Sequence, residues 1–165
     1  MCEPTTYRRG DGVLVRLYRD EGPSDFLYSH CLYASLSRDN GKLWTKPAQT
    51  NIPDSPSRSS AGNLPDGRCF IVGNQVAEPF SKRIHKHYTR DPLVISVSRD
   101  GKSFDFSAAI RAGAPNIRAR GSGKGRGYQY PATEIVGDDL WVLYSVGKED
   151  IAISRVPLKN LKTRR

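Results

Sequence analysis

The sequence predicts an all-β fold, and three observations support this prediction. The apolar residues form short runs rich in β-branched and aromatic side chains, which is the composition typical of strands. Almost none of these runs has the period of a helix. Turn sequences such as LPDG (64–67), GDD (137–139), SRDN (37–40) and SRDG (98–101) separate them. Because a chain of 165 residues fits one domain, we expect a single all-β domain over residues 1–165.

The predicted strands form a repeating unit. In chain order, the strand-like runs are VLVRLY (13–18), LYASLS (32–37), CFIVG (69–73), LVISVS (93–98), LWVLYSV (140–146) and IAISRV (151–156). The fullest copy is the middle one, which predicts antiparallel strands near 59–64, 68–74, 92–98 and 103–110. The third copy has YQYPATEIV, LWVLYSV and DIAISRVPL as its first three strands and then stops. The first copy has GVLVRLYRD, LYSHCLYASLS and LWTKPAQT as its last three strands, with little room for an initial one.

These copies predict about three four-stranded units, over roughly 1–50, 51–112 and 113–160, with a basic tail over 159–165. Repeated four-stranded units are typical of a β-propeller, whose closed ring holds roughly four to eight blades. Three blades cannot close a ring, and open flanks would expose blade faces and strand edges. Three explanations stay open: two copies form one ring as a homodimer, the chain is part of a longer protein, or the fold is a β-sandwich.

The predicted turn between the third and fourth strands of a blade carries a recurring motif. The pattern Ser-x-Asp-x-Gly-x-x-Trp is met at Ser37, Asp39, Gly41 and Trp44. A shorter copy over 98–104 ends in a phenylalanine in place of the tryptophan. The aspartate can accept hydrogen bonds from the turn, and the glycine can adopt a backbone angle that other residues resist. We expect the aromatic residue to fold back into the blade core as an anchor.

This motif is the Asp box, and the chain resembles the C-terminal half of the sialidase-like (neuraminidase-like) six-bladed β-propellers. The segments RDPLVISVSRDGKSFDF, SPSRSSAGNLPDGRCFIVGN and GYQYPATEIVGDDLWVLYSVGKED resemble the bacterial branch of this family. The Asp box is strong evidence for the fold and weak evidence for an activity, because noncatalytic propellers also carry it. The resemblance implies a half-propeller of three blades.

The repeat also predicts which end of the blades could bind a ligand. Since strands alternate in direction, the Asp boxes and the LPDG and GDD turns share one face, and the remaining connections share the other. The second group is polar and includes Arg19, Asp20, Asp54, Ser57, Arg58, Asn74, Lys82, Arg83, His85, His87, Arg90, Asp91, Lys148, Glu149 and Asp150. The alternation of a strand would turn Tyr130, Ala132 and Glu134 to one side, along the channel.

The resemblance implies roles for some of these residues. Sialidases bind the substrate carboxylate with an arginine cluster, and they use a tyrosine nucleophile activated by a glutamate and an aspartate as acid/base. Tyr130 is then the candidate nucleophile and Glu134 its partner, with Arg58 and Arg90 as carboxylate binders. Arg19, Asn74 and Lys148 are further candidates for substrate binding. The family's acid/base and first arginine belong to N-terminal blades that this chain lacks, which predicts an incomplete site in a single chain.

Structural interpretations of the same residues stay open. Tyr130 could pack in the channel wall with its hydroxyl satisfied. Arg90 could form a local ion pair with the neighbouring Asp91. The segment 148–150 could be a solvated turn, and the basic loops could be mobile.

The excess of positive charge suggests anionic partners without choosing among them. Lys and Arg number 26 against 17 Asp and Glu, which gives a formal net charge of +9. Our first hypothesis is an exo-glycosidase that acts on sialic or other acidic sugars, because a guanidinium pairs with a carboxylate through two parallel hydrogen bonds. The alternatives are a noncatalytic carbohydrate- or protein-binding module and a basic nucleic-acid binder that uses 117–130 and 81–90.

Metals, cofactors and membrane insertion are not predicted. Cys2, Cys31 and Cys69 follow no metal-ligand spacing, and His85 and His87 lack a third ligand in view. GSGKG (121–125) does not meet the spacing of a phosphate loop. No run approaches the length of a membrane span, and no signal peptide is visible. We expect a cytoplasmic protein, taking the chain as written.

Overall fold

The structure, a computed structural model, describes residues 2–20, 31–75 and 90–163 of the chain. The described residues form three antiparallel sheets in chain order, which we call blades 1, 2 and 3. Blade 1 consists of β1 (Cys2–Arg8), β2 (Leu14–Arg19), β3 (Cys31–Ser37) and β4 (Ala48–Pro53). Blade 2 consists of β5 (Ser60–Asn63), β6 (Cys69–Gly73), β7 (Leu93–Ser98) and β8 (Phe106–Arg111). Blade 3 consists of β9 (Tyr128–Val136), β10 (Asp139–Val146) and β11 (Asp150–Pro157).

Within each blade, strands that follow one another in sequence are neighbours in the sheet. This order is the result expected when each pair is joined as a hairpin. It confirms the predicted all-β architecture of three propeller blades.

Blade 1 corrects one expectation from the sequence. We expected little room for an initial strand in the first copy, but β1 forms it and pairs with β2 from Arg8↔Leu14 back to Cys2↔Arg19. The strand was missed because CEPTTYR has a proline and only one buried apolar residue, Tyr7. In the described residues, blade 3 is therefore the three-stranded one.

The blades pack face to face through two apolar clusters. One cluster joins blades 1 and 2 and contains Tyr7, Val15, Leu17, Leu32, Cys69 and Ile71. The other joins blades 2 and 3 and includes Phe70, Val72, Ile95, Val97, Leu140 and Val142. Successive residues of β6 belong to opposite clusters because side chains alternate across a strand. Blade 2 is thus covered on both sides, and every residue of β6 and β7 is buried.

The two predicted Asp-box turns lie at the same end of the blades. Tyr7, close to the β1–β2 turn, donates a hydrogen bond from its hydroxyl to the Gly101 carbonyl at 2.8 Å. Arg8 donates to the Asn40 side chain at 3.0 Å. We call this end of the molecule, with the turns 37–44 and 98–104, the turn rim.

The aromatic residues that close these turns are anchored differently. Trp44 lies back over its own turn, where its indole N–H donates to the Gly41 carbonyl at 2.9 Å and Arg16 stacks 3.9 Å from the ring. Phe104 packs against the cluster between blades 1 and 2 and meets Tyr7 edge-on at 5.9 Å. Both side chains are half-buried, and the expected packing against the blade core holds for Phe104 but not for Trp44, which lies on its own turn.

The C-terminal segment packs back on blade 2. After β11, residues Leu158–Asn160 form a short 3₁₀ turn, and Leu161 is buried in the cluster between blades 2 and 3. Arg68 donates to the Leu161 carbonyl. The predicted basic tail is thus partly a packing element, although Lys159 and Lys162 are exposed as expected.

Candidate functional site

The opposite end of the blades gathers charged side chains from all three sheets. Its members are Glu3, Arg19, Asp54, Arg90, Tyr130 and Lys148, and we call this end the site rim. The rim contains the first residues of β1 and β9 and the residues at the ends of β2 and β10. It also contains the connections that lead into blade 2 and into β7. The antiparallel order of the strands therefore brings residues far apart in sequence to one place.

Two strands enter this rim through the same backbone irregularity. In β1, Glu3 and Pro4 lie between the register pairs Cys2↔Arg19 and Thr5↔Leu17, so two residues oppose one on β2. In β9, residues 130–131 lie in the same way between Gln129↔Ser145 and Ala132↔Leu143. An extra residue of this kind is a β-bulge, which bends the strand and redirects side chains. In each bulge the second of the two residues is a proline. Because proline has no backbone N–H, its position there costs the sheet no hydrogen bond between strands.

The bulges place non-glycine residues in a strained conformation. Glu3 has a φ of 51° and Tyr130 a φ of 55°. Lys148, which lies next to Tyr130 in the turn between β10 and β11, has a φ of 58°. Side chains other than glycine rarely adopt positive φ, and each such residue costs on the order of 1 kcal/mol or more. The strain at this rim is therefore an observation that favours a functional role.

The Tyr130 ring lies among three cationic side chains. Arg90 is 5.5 Å and Lys148 is 5.2 Å from its centroid. Burial alone would raise the pKa of the Tyr130 phenol, but a hydrogen bond with Arg19 and the charges of Arg90 and Lys148 outweigh it and lower the pKa. A lowered pKa makes the phenol oxygen easier to ionise, which is the change that a nucleophile needs.

Arg19 connects the tyrosine to an acidic residue on blade 1. Its guanidinium donates to the Glu3 carboxylate at 2.7 Å. The two side chains are 13% and 30% exposed, so the pair is only partly open to solvent. Because Arg19 also bonds Tyr130, the carboxylate and the phenol share one arginine.

Arg90 is fixed from three sides. Its guanidinium donates to the Gln129 amide oxygen at 3.2 Å and to the Pro56 carbonyl at 3.0 Å. Its own carbonyl accepts from the Tyr128 N–H at 2.7 Å. Gly127 permits this approach, since a Cβ there would lie 2.6 Å from the Arg90 carbonyl oxygen. Arg90 is 8% exposed and is therefore held in one position before any ligand arrives.

Asp54 is a buried acid beside the two arginines. It is 3% exposed, and neither carboxyl oxygen has a hydrogen-bond partner within the described residues. Burial raises its pKa to about 8, although the Ser57 N–H, Arg19 and Arg90 act in the opposite direction. An ionised carboxylate is costly in so buried a position, which favours the protonated form of Asp54.

The structure brings some of the predicted site residues together and separates others. Tyr130, Arg90, Arg19 and Lys148 share the site rim. Arg58 is exposed in the connection between blades 1 and 2. Asn74 is fully buried, and its amide donates to the Pro92 and Tyr128 carbonyls at 2.9 and 3.1 Å, which makes it a support for the backbone around the site.

Glu134 lies away from the tyrosine that we expected it to assist. Its side chain is exposed on β9, where it pairs with Trp141 of β10. Four strand residues span roughly 13 Å. The bulge at 130–131 also shifts the alternation of side chains by one residue, so the two-residue period cannot relate Tyr130 to Glu134.

Glu3 is the site-rim residue that the sequence did not single out, whereas Asp54 was in the predicted polar group but without a role of its own. The sequence does contain a signal for Glu3. Glu3-Pro4 lies seven residues before Gly10-Asp11, and Tyr130-Pro131 lies seven residues before Gly137-Asp138. Comparing the starts of the first strands would have found it. Asp54 has no such signal, since only burial in the folded chain distinguishes it from other aspartates.

The loop before β9 is tied to the blades by carboxylates. Glu149 accepts from the Arg118 and Ala119 backbone N–H groups at 2.8 Å each and from Lys124 at 3.2 Å. Asp91 accepts from the Gly113 and Ala114 N–H groups. Asp91 thus supports this loop, whereas the Arg90 side chain donates hydrogen bonds to Gln129 and Pro56. The basic segment is therefore partly neutralised and held in place.

Other features of the described residues add no second site of this kind. No group of three His, Cys, Asp or Glu side chains is placed to hold a metal in the part of the chain that the structure describes. His85 and His87, and most of the basic segment 81–90, lie outside the described residues. A cleft of about 430 Å³ lies at the periphery between β8 and β11, away from Tyr130. Within the same described ranges, no helix is long and apolar enough to cross a membrane.

The arrangement of blades, turns and rim identifies the family. The family model described as "BNR repeat-like domain" matches residues 1–142. The chain belongs to the BNR repeat-like domain family. No significant match is found among curated protein sequences.

Solved structures share the fold of this BNR repeat-like chain at low sequence identity. A Hadza microbial sialidase, Hz136, has a TM-score of 0.67 and 15% identity, over 96% of this chain and 28% of its own. The intramolecular trans-sialidase from Ruminococcus gnavus has a TM-score of 0.66 and 14% identity, over 99% of this chain and 34% of its own. An α-L-arabinofuranosidase from Fusarium graminearum has a TM-score of 0.57 and 16% identity, over 94% of this chain and 45% of its own. The chain thus spans less than half the length of these structures, and the likeness shows a sialidase-like propeller fold.

Proposed function

We propose that this chain supplies one side of a glycosidase site for acidic sugars. The observation that carries the proposal is the convergence of Glu3, Arg19, Arg90 and Tyr130 at one rim, with Glu3 and Tyr130 on strained bulges. Arg19 and Arg90 would bind the carboxylate of a sialic or uronic acid through paired hydrogen bonds. Lys148 would add positive charge at the edge of the site.

In this proposal Tyr130 is the nucleophile and Glu3 is its base. The phenol oxygen attacks the anomeric carbon, the glycosidic bond breaks, and the phenol proton passes to the Glu3 carboxylate. Water then releases the sugar from the tyrosine. A tyrosine nucleophile is a known exception to the usual pair of carboxylates in glycoside hydrolysis. Glu3 takes the role for which the sequence suggested Glu134, because Glu3 shares Arg19 with Tyr130.

The leaving group needs a proton from an acid that we assign to further blades. We propose that a second copy of the chain completes the ring, with the turns 37–44 and 98–104 acting as Asp boxes at the far end. The outer face of blade 3 supports this, because Val136, Ile151 and Ile153 are 60%, 79% and 57% exposed there. The other two blade contacts bury equivalent positions. Mass in solution tests it: a stable monomer would overturn the dimer and leave an N-terminal half as the missing partner.

The activity is tested with a fluorogenic sialoside. Wild-type protein should release the fluorophore, and Tyr130→Phe should reduce turnover by at least a thousandfold, because the phenol oxygen forms the covalent bond. Tyr7→Phe is a matched control with the same atom removed at the turn rim, the opposite end of the blades. Equal turnover in wild type and Tyr130→Phe would remove Tyr130 from the chemistry.

A noncatalytic glycan-binding module is the second candidate, because the chain spans only 28–45% of the structures quoted above. It predicts no turnover together with saturable binding of N-acetylneuraminic acid that Arg90→Ala weakens. The third hypothesis, nucleic-acid binding, is less well supported, since Glu149 and Asp150 pair with Arg118 and Lys124 of the basic loop. RNA affinity that falls steeply with salt would revive it.

A further inference from the structure

Asp54 is the one member of the site rim that the proposed reaction does not use. It sits in the connection between blades 1 and 2, just after β4, and it is 3% exposed. Neither carboxyl oxygen makes a hydrogen bond of normal geometry among the described residues, and the interaction with the Ser57 N–H does not offset the burial. Native proteins rarely leave such atoms without a partner, and exceptions invite a functional explanation.

The groups that face Asp54 come from several elements. Arg19 and Asp20 approach from the end of β2, Cys31 from the start of β3, and Arg90 from the segment before β7. Burial, with the negative charges of Asp54 and Asp20, raises the pKa of the Cys31 thiol. Two of these four neighbours are the arginines that we assign to the substrate carboxylate. Asp54 is close enough to interact electrostatically with both of them.

We propose that Asp54 is a positioning residue that leaves both arginines available to an anionic sugar while it is protonated and weakens that binding when it ionises. The inference rests on the proposed function, since it concerns the same arginines. A neutral carboxyl behind Arg19 and Arg90 leaves their positive charge for the ligand. An ionised one competes with the ligand carboxylate for the same two guanidinium groups.

The size of the effect follows from the burial of Asp54, which keeps water away from its carboxyl group. A buried negative charge interacts with nearby charges far more strongly than one in water. We therefore expect affinity for an anionic sugar to fall about tenfold or more between pH 7 and pH 9, where free carboxylates and arginines keep their charge. The raised pKa of Asp54, about 8, places its ionisation in this window.

The test measures N-acetylneuraminic acid binding by calorimetry from pH 6 to pH 9.5. Wild type should show the tenfold loss, and Asp54→Asn, which stays neutral, should show a flat profile. Asp39→Asn at the turn rim is the matched control and should behave as wild type. Tyr130→Phe should keep the pH dependence, which separates Asp54 from ionisation of the phenol. A pH dependence in Asp54→Asn equal to that of wild type would overturn the proposal.

A second measurement needs neither a variant nor a bound sugar. In wild-type protein labelled with ¹³C at aspartate carboxyls, one resonance should titrate near pH 8, far above the others. If every resonance titrates near or below pH 4, the proposal is wrong even when the sugar binds. If one titrates near pH 8 but the sugar never binds, the proposed function fails while the buried protonated acid stands.

Discussion

The two ends of the blades use the same residue types in opposite ways. At the turn rim, Asp39 and Asp100 accept hydrogen bonds from N–H groups of their own turns, at 2.9 Å from Leu43 and 2.8 Å from Lys102. These hydrogen bonds lower the pKa of both carboxyls, which are exposed to solvent. At the site rim, Asp54 is buried with no hydrogen bond of normal geometry to its carboxyl oxygens, and burial raises its pKa.

The backbone shows the same contrast. Asn40 and Gly41 carry the positive φ angles of the first turn, where asparagine and glycine tolerate them. Glu3, Tyr130 and Lys148 carry those of the site rim, where the side chain is poorly suited to the angle. Hydrogen bonds within each turn hold the two carboxylates of the turn rim, whereas the site rim depends on the packed blades to hold it. The strained side chains therefore lie at the site rim.

The largest effect should come from removing the close approach that fixes Arg90. In Gly127→Ala the new Cβ would lie 2.6 Å from the Arg90 Cβ and carbonyl oxygen, so backbone must move. We expect a loss of about 3 kcal/mol in the free energy of unfolding, from overpacking added to an unfavourable φ. Urea unfolding measures it.

Gly137→Ala is the control for that comparison, because Gly137 also has positive φ but no atom lies within 4 Å of a Cβ there. It should cost only about 1 kcal/mol, the penalty for the backbone angle alone. Equal losses in the two variants would show that Arg90 is not held by Gly127.

A smaller effect is expected at the Glu3–Arg19 pair. Glu3→Gln keeps the shape but removes the charge that Arg19 bonds at 2.7 Å, and it should cost roughly 1 kcal/mol of stability. In the sialoside assay it should also lower turnover if Glu3 is the base for Tyr130. Glu134→Gln is the matched control on exposed β9, with stability within about 0.5 kcal/mol of wild type and unchanged turnover. A loss of turnover in Glu134→Gln but not in Glu3→Gln would restore Glu134 as the partner of Tyr130.

The smallest effect should appear at the exposed carboxylates of the turn rim, and it should depend on pH. Because folding lowers the pKa of Asp39 and Asp100, their contribution is present above the unfolded value near pH 3.9 and is lost as pH falls through the lower folded value. Asp54 has a raised pKa, so its contribution is complete at low pH and is lost as pH rises from about 4 to about 8.

Urea unfolding from pH 3 to pH 9 checks both directions. Asp39→Asn should flatten the stability profile only at the acid end, and Asp54→Asn only between pH 4 and pH 8. A common response of the two variants would mean that the two rims do not differ in the way described above.

Parts of the fold followed from local sequence. The predicted strands near 68–74 and 92–98 are found at Cys69–Gly73 and Leu93–Ser98, because β-branched runs bounded by turns favour strands in almost any context. The turns at 37–44 and 98–104 form their hydrogen bonds within a few residues, so their sequence specifies them. β1 was missed because its stability comes from pairing with β2 and packing on blade 2.

Local patterns in the chain were enough to predict the all-β repeat and the types of side chain available to a site, including Tyr130 and Arg90. Which of these side chains meet depends on how the blades pack, since packing joins Glu3 to Arg19, separates Glu134 from Tyr130 and buries Asp54. The difference lies in the distance along the chain over which each interaction acts. Strand propensity and turn hydrogen bonds act over a few residues, whereas bulges, burial and electrostatic neighbours depend on segments that fold together from distant parts of the chain.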